Sequence, residues 1–268
     1  MREGEGKTAL VTGASAGIGK AFAEVLAEKG YDLVLTARRR ERLDELAGQL
    51  ATRHGIKTHV VVADLAEPEA PARIADAVRG LGLHIDVLVN NAGYGVPGSY
   101  VKVAWADHQR FMQVMMTAVC DLTYRLLPPM LERGWGRVIN IASMTGLVPA
   151  PAGHTLYGAS KAFLIRFSEA LAAENAPKGV HVTAVCPGFT LSEFHDVTGT
   201  RQKMSSVPSM MWLDARDVAL EGYDAVMRGD SVVVNGRIYR LLLWLMRVAP
   251  QTMVKRLSVS AGRRYRKV

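Results

Sequence analysis

Short β-branched apolar runs alternate along this chain with stretches whose apolar residues recur at helical spacing. Thr8–Thr12 (TALVT) reads as a buried strand, and a Gly-rich turn leads from it into a helix over residues 16–29. Asp32–Ala37 is the second strand, and Leu43, Leu46 and Leu50 mark a helix over 41–54. The pattern repeats with a strand at 57–63, a helix at 67–80 and a strand at 85–90. Residues 105–133 read as one long helix, with Pro128 and Pro129 predicting a kink or a break near its end. A strand at 137–142, a helix at 154–175, a strand at Val180–Cys186, a helix at 214–227 and a short strand at 231–235 follow. Asp214 is the expected N-cap of the helix it opens.

That order predicts an α/β fold, a single doubly wound parallel sheet of about seven strands with helices on both faces. No Pro/Gly/Ser-rich linker, repeat or low-complexity tract divides the chain. Residues 1–236 are expected to form one domain, and 237–268 a helical C-terminal extension. In such sheets ligands lie beyond the carboxyl ends of the strands, so the residues just after each strand carry the chemistry.

The composition, 49% apolar and 22% charged, is that of a globular chain and excludes a disordered one. The apolar run at 241–246 is far short of the ~20 residues of a membrane span. The polar start of the chain predicts no secretory signal. Two cysteines, Cys120 and Cys186, fit a reducing, cytoplasmic setting. The net charge of +8 is unevenly placed. Nine basic residues and no acid follow position 236, so the first 236 residues hold 24 basic and 25 acidic groups. The body is neutral and the tail basic, and without aromatic interleaving the tail predicts no nucleic-acid partner.

After the first strand the chain reads Thr12-Gly13-Ala14-Ser15-Ala16-Gly17-Ile18-Gly19. A glycine turn of this kind, opening a helix, allows close backbone approach to a pyrophosphate and places it at a helix N-terminus. The second strand ends in Arg38-Arg39-Arg40, where an NAD site would carry an acid. Guanidinium groups suit a 2′-phosphate, which points to NADP(H), with Arg38 first and Arg39 second as its ligands. Asp64 follows the third strand, either facing an adenine edge or capping a helix. Asn90-Asn91-Ala92-Gly93 closes the fourth strand, where small residues let backbone lie along a cofactor.

Ser143 follows the fifth strand, and Tyr157 and Lys161 share one helix face at i and i+4. The ammonium would favour the phenolate and bring Tyr157 nearer to working pH as a proton donor to a carbonyl oxygen. Ser143 would hydrogen-bond the same oxygen. Residues 189–213 carry Met204, Met210, Met211 and Trp212 and read as an adaptable lid, or as an ordinary long loop. His154 and His195 flank the expected cleft without partners and are read as incidental. No metal is expected.

Taken in order and spacing, these motifs resemble the short-chain dehydrogenase/reductase family, in its classical, NADP-preferring branch. The likeness runs from about residue 7 to residue 235. It implies a Rossmann-type sheet, an NADP(H) cofactor, Tyr157 as general acid/base, Ser143 as carbonyl-polarising donor and Lys161 on the nicotinamide ribose. It implies a cofactor site made by Gly13, Ser15, Gly17, Ile18, Gly19, Arg38, Arg39, Asp64, Leu65, Asn90, Ala92, Gly93, Pro187, Gly188 and Thr190. Ser192 stands where the family has a Thr on the carboxamide. The resemblance also implies a homodimer or homotetramer built on the helices at 105–133 and 154–175.

Residues 157–194 and 232–250 are similar to bacterial 3-oxoacyl and 17β-hydroxysteroid reductases, which implies a lipophilic ketone or acyl substrate. Met115 departs from the family pattern by standing where an Asn helps hold a proton-relay water. That motivates a second reading, a protein that binds NADPH as a regulator or scaffold with little turnover. The tail helix at 238–249 has three readings: a wall of the substrate site, a subunit contact, or a peripheral anchor on an anionic membrane.

Overall fold

The computed structural model describes residues 2–96, 98–149, 155–191 and 208–250. Seven strands are β1 (Thr8–Thr12), β2 (Asp32–Ala37), β3 (Thr58–Val62), β4 (Val87–Asn90), β5 (Gly136–Ile141), β6 (Val180–Cys186) and β7 (Val232–Val234). Every pairing is parallel, and the order across the sheet is β3-β2-β1-β4-β5-β6-β7. The chain moves outward from β1 to β3, then crosses to β4 on the other side of β1. The crevice where that direction reverses is where such folds hold their ligands.

Four helices in the first half are α1 (Gly17–Glu28), α2 (Arg40–His54), α3 (Ala70–Gly80) and α4 (Trp105–Met112). Among the described residues, four more are α5 (Ala118–Glu132), α6 (Thr155–Asn175), α7 (Ala215–Arg228) and α8 (Arg237–Val248). The strands are apolar on both sides because both faces of the sheet are covered. In β1, Ala9 and Val11 pack with Phe22, Leu26 and Tyr223 of α1 and α7. Leu10, pointing the other way, packs with Ile74, Phe111 and Leu122 of α3, α4 and α5. Phe22, Leu26, Leu33 and Leu88 are fully buried, each contributing about 1.5–3 kcal/mol over exposure.

The long helix expected at 105–133 is divided. A π-turn at Gln113–Thr117 separates α4 from α5. Pro128 and Pro129 do not break α5, which continues to Glu132. The carbonyls that lose their helical partners to these prolines belong to Tyr124 and Arg125, both exposed residues, where solvent can replace the missing bonds. Asp214 is the N-cap of α7, its carboxylate accepting from Arg216 N at 2.7 Å.

Candidate active site

The turn after β1 is organised by two side chains. Thr12 Oγ1 donates to Val89 O at 3.2 Å and accepts from the N–H groups of Asn91 and Ala92 at 2.9 and 3.0 Å. Asn91 Nδ2 donates to Thr12 O at 2.9 Å, tying the ends of β1 and β4 together. A Cβ at Gly19 would lie 2.3 Å from Asn91 Nδ2 and 2.4 Å from Gly13 O, and Gly13 itself has φ of +66°. Neither position accepts a side chain, because this turn leaves no room for one. α1 begins at Gly17 with no side-chain cap and no acid in its first turn. Its leading N–H groups are therefore available to an anion, which fits a pyrophosphate beside Ser15, Gly17 and Ile18.

Arg38 is exposed at the end of β2. Arg39 reaches back to the glycine turn, its Nη2 donating to Ser15 Oγ at 2.9 Å. Asp64 accepts from Ala66 N at 3.0 Å, so it closes a local turn well ahead of α3 and caps no helix. Leu65 beside it is buried. Burial raises the Tyr94 phenol above its ordinary range, and Arg38 and Asp64 both act on it by charge.

Ser143 stands directly after β5 and accepts from Thr145 N at 3.2 Å, which leaves its own hydroxyl proton free to donate. Tyr157 and Lys161 lie one turn apart on α6, and Lys161 Nζ is 5.6 Å from the Tyr157 ring centre. Lys161 Nζ donates to Ile141 O at 2.6 Å, anchoring α6 to the end of β5. Burial pushes its ammonium down to about 8, with the buried Cys186 acting in the opposite sense. Burial likewise pushes the Cys186 thiol up to about 12.

The Asn90 side chain is turned into the protein. It donates to Thr123 Oγ1 at 3.1 Å and to Asn140 Oδ1 at 2.9 Å. Asn140 donates to Ser168 Oγ at 2.8 Å, and Ser168 to Leu164 O at 2.7 Å. This chain joins β4, β5, α5 and α6 beneath the Tyr157–Lys161 face. Thr123, Asn140 and Ser168 were not anticipated, nor was the role of Thr12. A polar residue inside the apolar run of β5 is the one visible signal. Its partner is unreadable until Asn90 and Asn140 are known to stand side by side in adjacent strands.

Met115 is buried in the π-turn, and its sulfur occupies the space beside Gly93, where a Cβ would approach it to 2.9 Å. π-turns within helices are concentrated at functional sites. Next to Tyr157 is a small recess lined by Val96, Tyr100, Val103, His108, Phe111 and Leu156. His108 Nε2 meets Tyr100 O at 2.9 Å, and its Nδ1 is buried with no hydrogen-bond partner among the described residues.

The turn after β6 is held by Met144 N donating to Pro187 O at 3.0 Å and by Thr190 Oγ1 donating to Gly188 O at 3.2 Å. Tyr239 of α8 lies across it. Its hydroxyl accepts from Phe189 N at 3.0 Å and donates to Met211 O at 2.6 Å. Tyr239 and Leu243 form one apolar cluster with Met144, the neighbour of Ser143. A Cβ at Gly188 would sit 2.0 Å from the Tyr239 ring. Gly188→Ala is therefore expected to lower stability by about 1–3 kcal/mol through overpacking. A thermal melt equal to wild type would show that α8 does not rest on this turn. Ser192, His154, His195, Met204 and the centre of the expected lid lie outside the described residues. The flanks of that segment are drawn together, with Thr190 bridging Leu213 and Phe189 against Trp212.

The sequence profile described as short chain dehydrogenase matches residues 7–203. The very-long-chain 3-oxoacyl-CoA reductase of Anas platyrhynchos is 41% identical over 201 residues, covering 73% of this chain and 63% of that enzyme's length. The 3-oxoacyl-[acyl-carrier-protein] reductase FabG of Aquifex aeolicus is 36% identical over 185 residues, covering 69% of this chain and 74% of its own. Among solved structures, a short-chain dehydrogenase from Sphingobium yanoikuyae in complex with NADPH is similar with a TM-score of 0.79 and 30% identity. That match covers 91% of this chain and 97% of the other.

Proposed function

This chain belongs to the short-chain dehydrogenase family, and from that premise we propose that it is an NADPH-dependent reductase of a lipophilic ketone or 3-oxoacyl substrate. The observation that carries the reading is the placement of Tyr157 and Lys161 on one face of α6, with Ser143 at the end of β5. When bound, NADPH would supply the hydride that the carbonyl carbon needs. Tyr157 donates a proton to the carbonyl oxygen, and Ser143 donates a hydrogen bond to it. Lys161 would hold the nicotinamide ribose and keeps positive charge near the phenol. Asn91 and Thr12 shape the backbone cradle, while Asn90 holds β4, β5 and α5 in register under it.

Lipophilic preference is supported by the apolar α8 cluster next to Met144. It also accords with relatives described as 3-oxoacyl reductases and a structural relative described as a 7beta-hydroxysteroid dehydrogenase. Purified protein assayed by NADPH absorbance against 3-oxoacyl thioesters, steroid ketones and short polar ketones tests this. Turnover confined to the polar ketones rejects the substrate class. Absence of turnover on the whole panel, with NADPH still bound, favours the second reading, binding without catalysis, for which Met115 is the motive.

Arg38 is assigned to the 2′-phosphate because it is exposed at the end of β2 and no acid stands there. Arg38→Asp is expected to shift the NADPH-to-NADH preference by about tenfold or more toward NADH. An unchanged ratio of kcat/KM values rejects the assignment. Self-association along α5 and α6 belongs to the same proposal. Tyr124 is exposed there, and Phe163 and Phe167 stack at 5.7 Å on the partly exposed side of α6.

A further inference from the structure

α8 has two unlike sides. Tyr239 and Leu243 are buried against the body, while Leu241, Trp244, Leu245 and Val248 are 57%, 58%, 45% and 63% exposed. Those four stand at i, i+3, i+4 and i+7, so they form one continuous stripe along the helix. Single exposed apolar residues are ordinary, whereas a contiguous stripe that includes a Trp marks a contact surface. Arg240 beside it is held by Glu221 at 3.3 Å, and Arg237 and Arg247 have no ion pair among the described residues.

We propose that this stripe docks on an anionic lipid bilayer, with α8 lying along the surface. Charge selects that occupant. Nine basic residues and no acid follow position 236, whereas the preceding body is near neutral. A second copy seated on the stripe by a two-fold axis would set the basic α8 segment, with Arg237, Arg240 and Arg247, against its own copy; the other six basic residues lie outside the described residues. An anionic bilayer meets the same segment with opposite charge, and Trp244 suits the headgroup level. No helix among the described residues is long and apolar enough to cross a membrane, which leaves α8 lying in the interface. Its buried side packs beside Met144, so docking would set the site's apolar wall close to the lipid. The inference does not depend on the reductase reading, since lipid binding is measured without turnover.

The test is flotation of the full chain with phosphatidylcholine vesicles and with vesicles that also contain phosphatidylglycerol. The expected result is about tenfold more protein floated by the anionic vesicles, falling as salt is raised. A Leu241→Ser, Trp244→Ser double variant is expected to float about tenfold less, with an unchanged thermal melt. Arg247→Glu, a change outside the packed side of α8, provides a second variant and is expected to float about fivefold less. Trp244→Phe should retain most of the binding. Failure of the wild type to float, or flotation of the double variant and Arg247→Glu equal to wild type, overturns the proposal. So does a dimer that the double variant dissolves while lipid binding is absent.

Discussion

Tyr157→Phe is expected to lower kcat by about a thousandfold with NADPH affinity unchanged within about twofold. The substitution removes one oxygen from a ring on the first turns of α6 and leaves the helix held by contacts that do not involve that oxygen. Lys161 still donates to Ile141 O, Asn140 to Ser168, and Ser160 to the Tyr157 backbone carbonyl at 2.9 Å. The turn proposed to receive the pyrophosphate is built by Thr12, Asn91 and the glycines, held by hydrogen bonds between the ends of β1 and β4. Turnover and binding should therefore separate cleanly. Steady-state NADPH oxidation measures the first, and quenching of protein fluorescence by NADPH the second. Activity surviving in the variant would mean that another group delivers the proton.

Lys161→Met is expected to cost about a hundredfold or more in turnover while making the cofactor-free protein slightly more stable at pH 7. The stability sign follows from burial. An amine pushed from 10.5 down to about 8 carries roughly 3 kcal/mol against its charged form. Loss of its hydrogen bond to Ile141 offsets about 1 kcal/mol or more of that. Between about pH 8 and 10.5 the unfolded chain keeps the proton that the folded chain has released, so wild-type stability rises with pH across that window. Below pH 8 both states are protonated and the full penalty applies. The variant lacks this rise. Urea unfolding of both proteins at pH 7 and near pH 9.5 would show the stability gap narrowing as pH increases. A gap that stays constant contradicts the burial of Lys161 as the source.

Two chemical features make opposite demands on the same helix. α6 must bring a buried ammonium to the carboxyl end of β5 and leave a neighbouring phenol accessible. The cost of the first comes from the packing around it, in the cluster of Leu164 and Ile165 with Ala184 and Cys186, and the hydrogen bond to Ile141 O offsets part of it. The polar chain from Asn90 to Ser168 adds a satisfied network that aligns α6 with β4 and β5.

The order of strands and helices was legible along the chain because periodicity is a local property. β1, β2 and β6 begin and end where the apolar runs do. Asp214 caps α7 because a carboxylate two residues ahead of a free N–H needs no distant partner. The Gly-rich turn, Ser143, and Tyr157 with Lys161 were legible for the same reason. The interruption of the helix at 113–117 was not. The prolines drew attention to the wrong end, since exposure of Tyr124 and Arg125 lets water replace the missing bonds, while Met115 takes its place against Gly93.

By itself, then, the chain's pattern determined the α/β class, the parallel sheet and the positions along it where chemistry is placed. The tertiary structure decided which polar groups meet. Asn90 and Asn140 are 50 residues apart and pair because β4 and β5 are neighbours. Tyr239 and Phe189 are also 50 apart, and meet because α8 folds back over the turn after β6. The burial that lowers Lys161 likewise comes from elements remote in sequence. The tail's meaning changed most: its basic charge was visible from composition, but only folding buried Tyr239 and Leu243 and left Leu241, Trp244, Leu245 and Val248 outside. Helical spacing defines the faces of a helix, and packing against the body chooses which of them meets solvent.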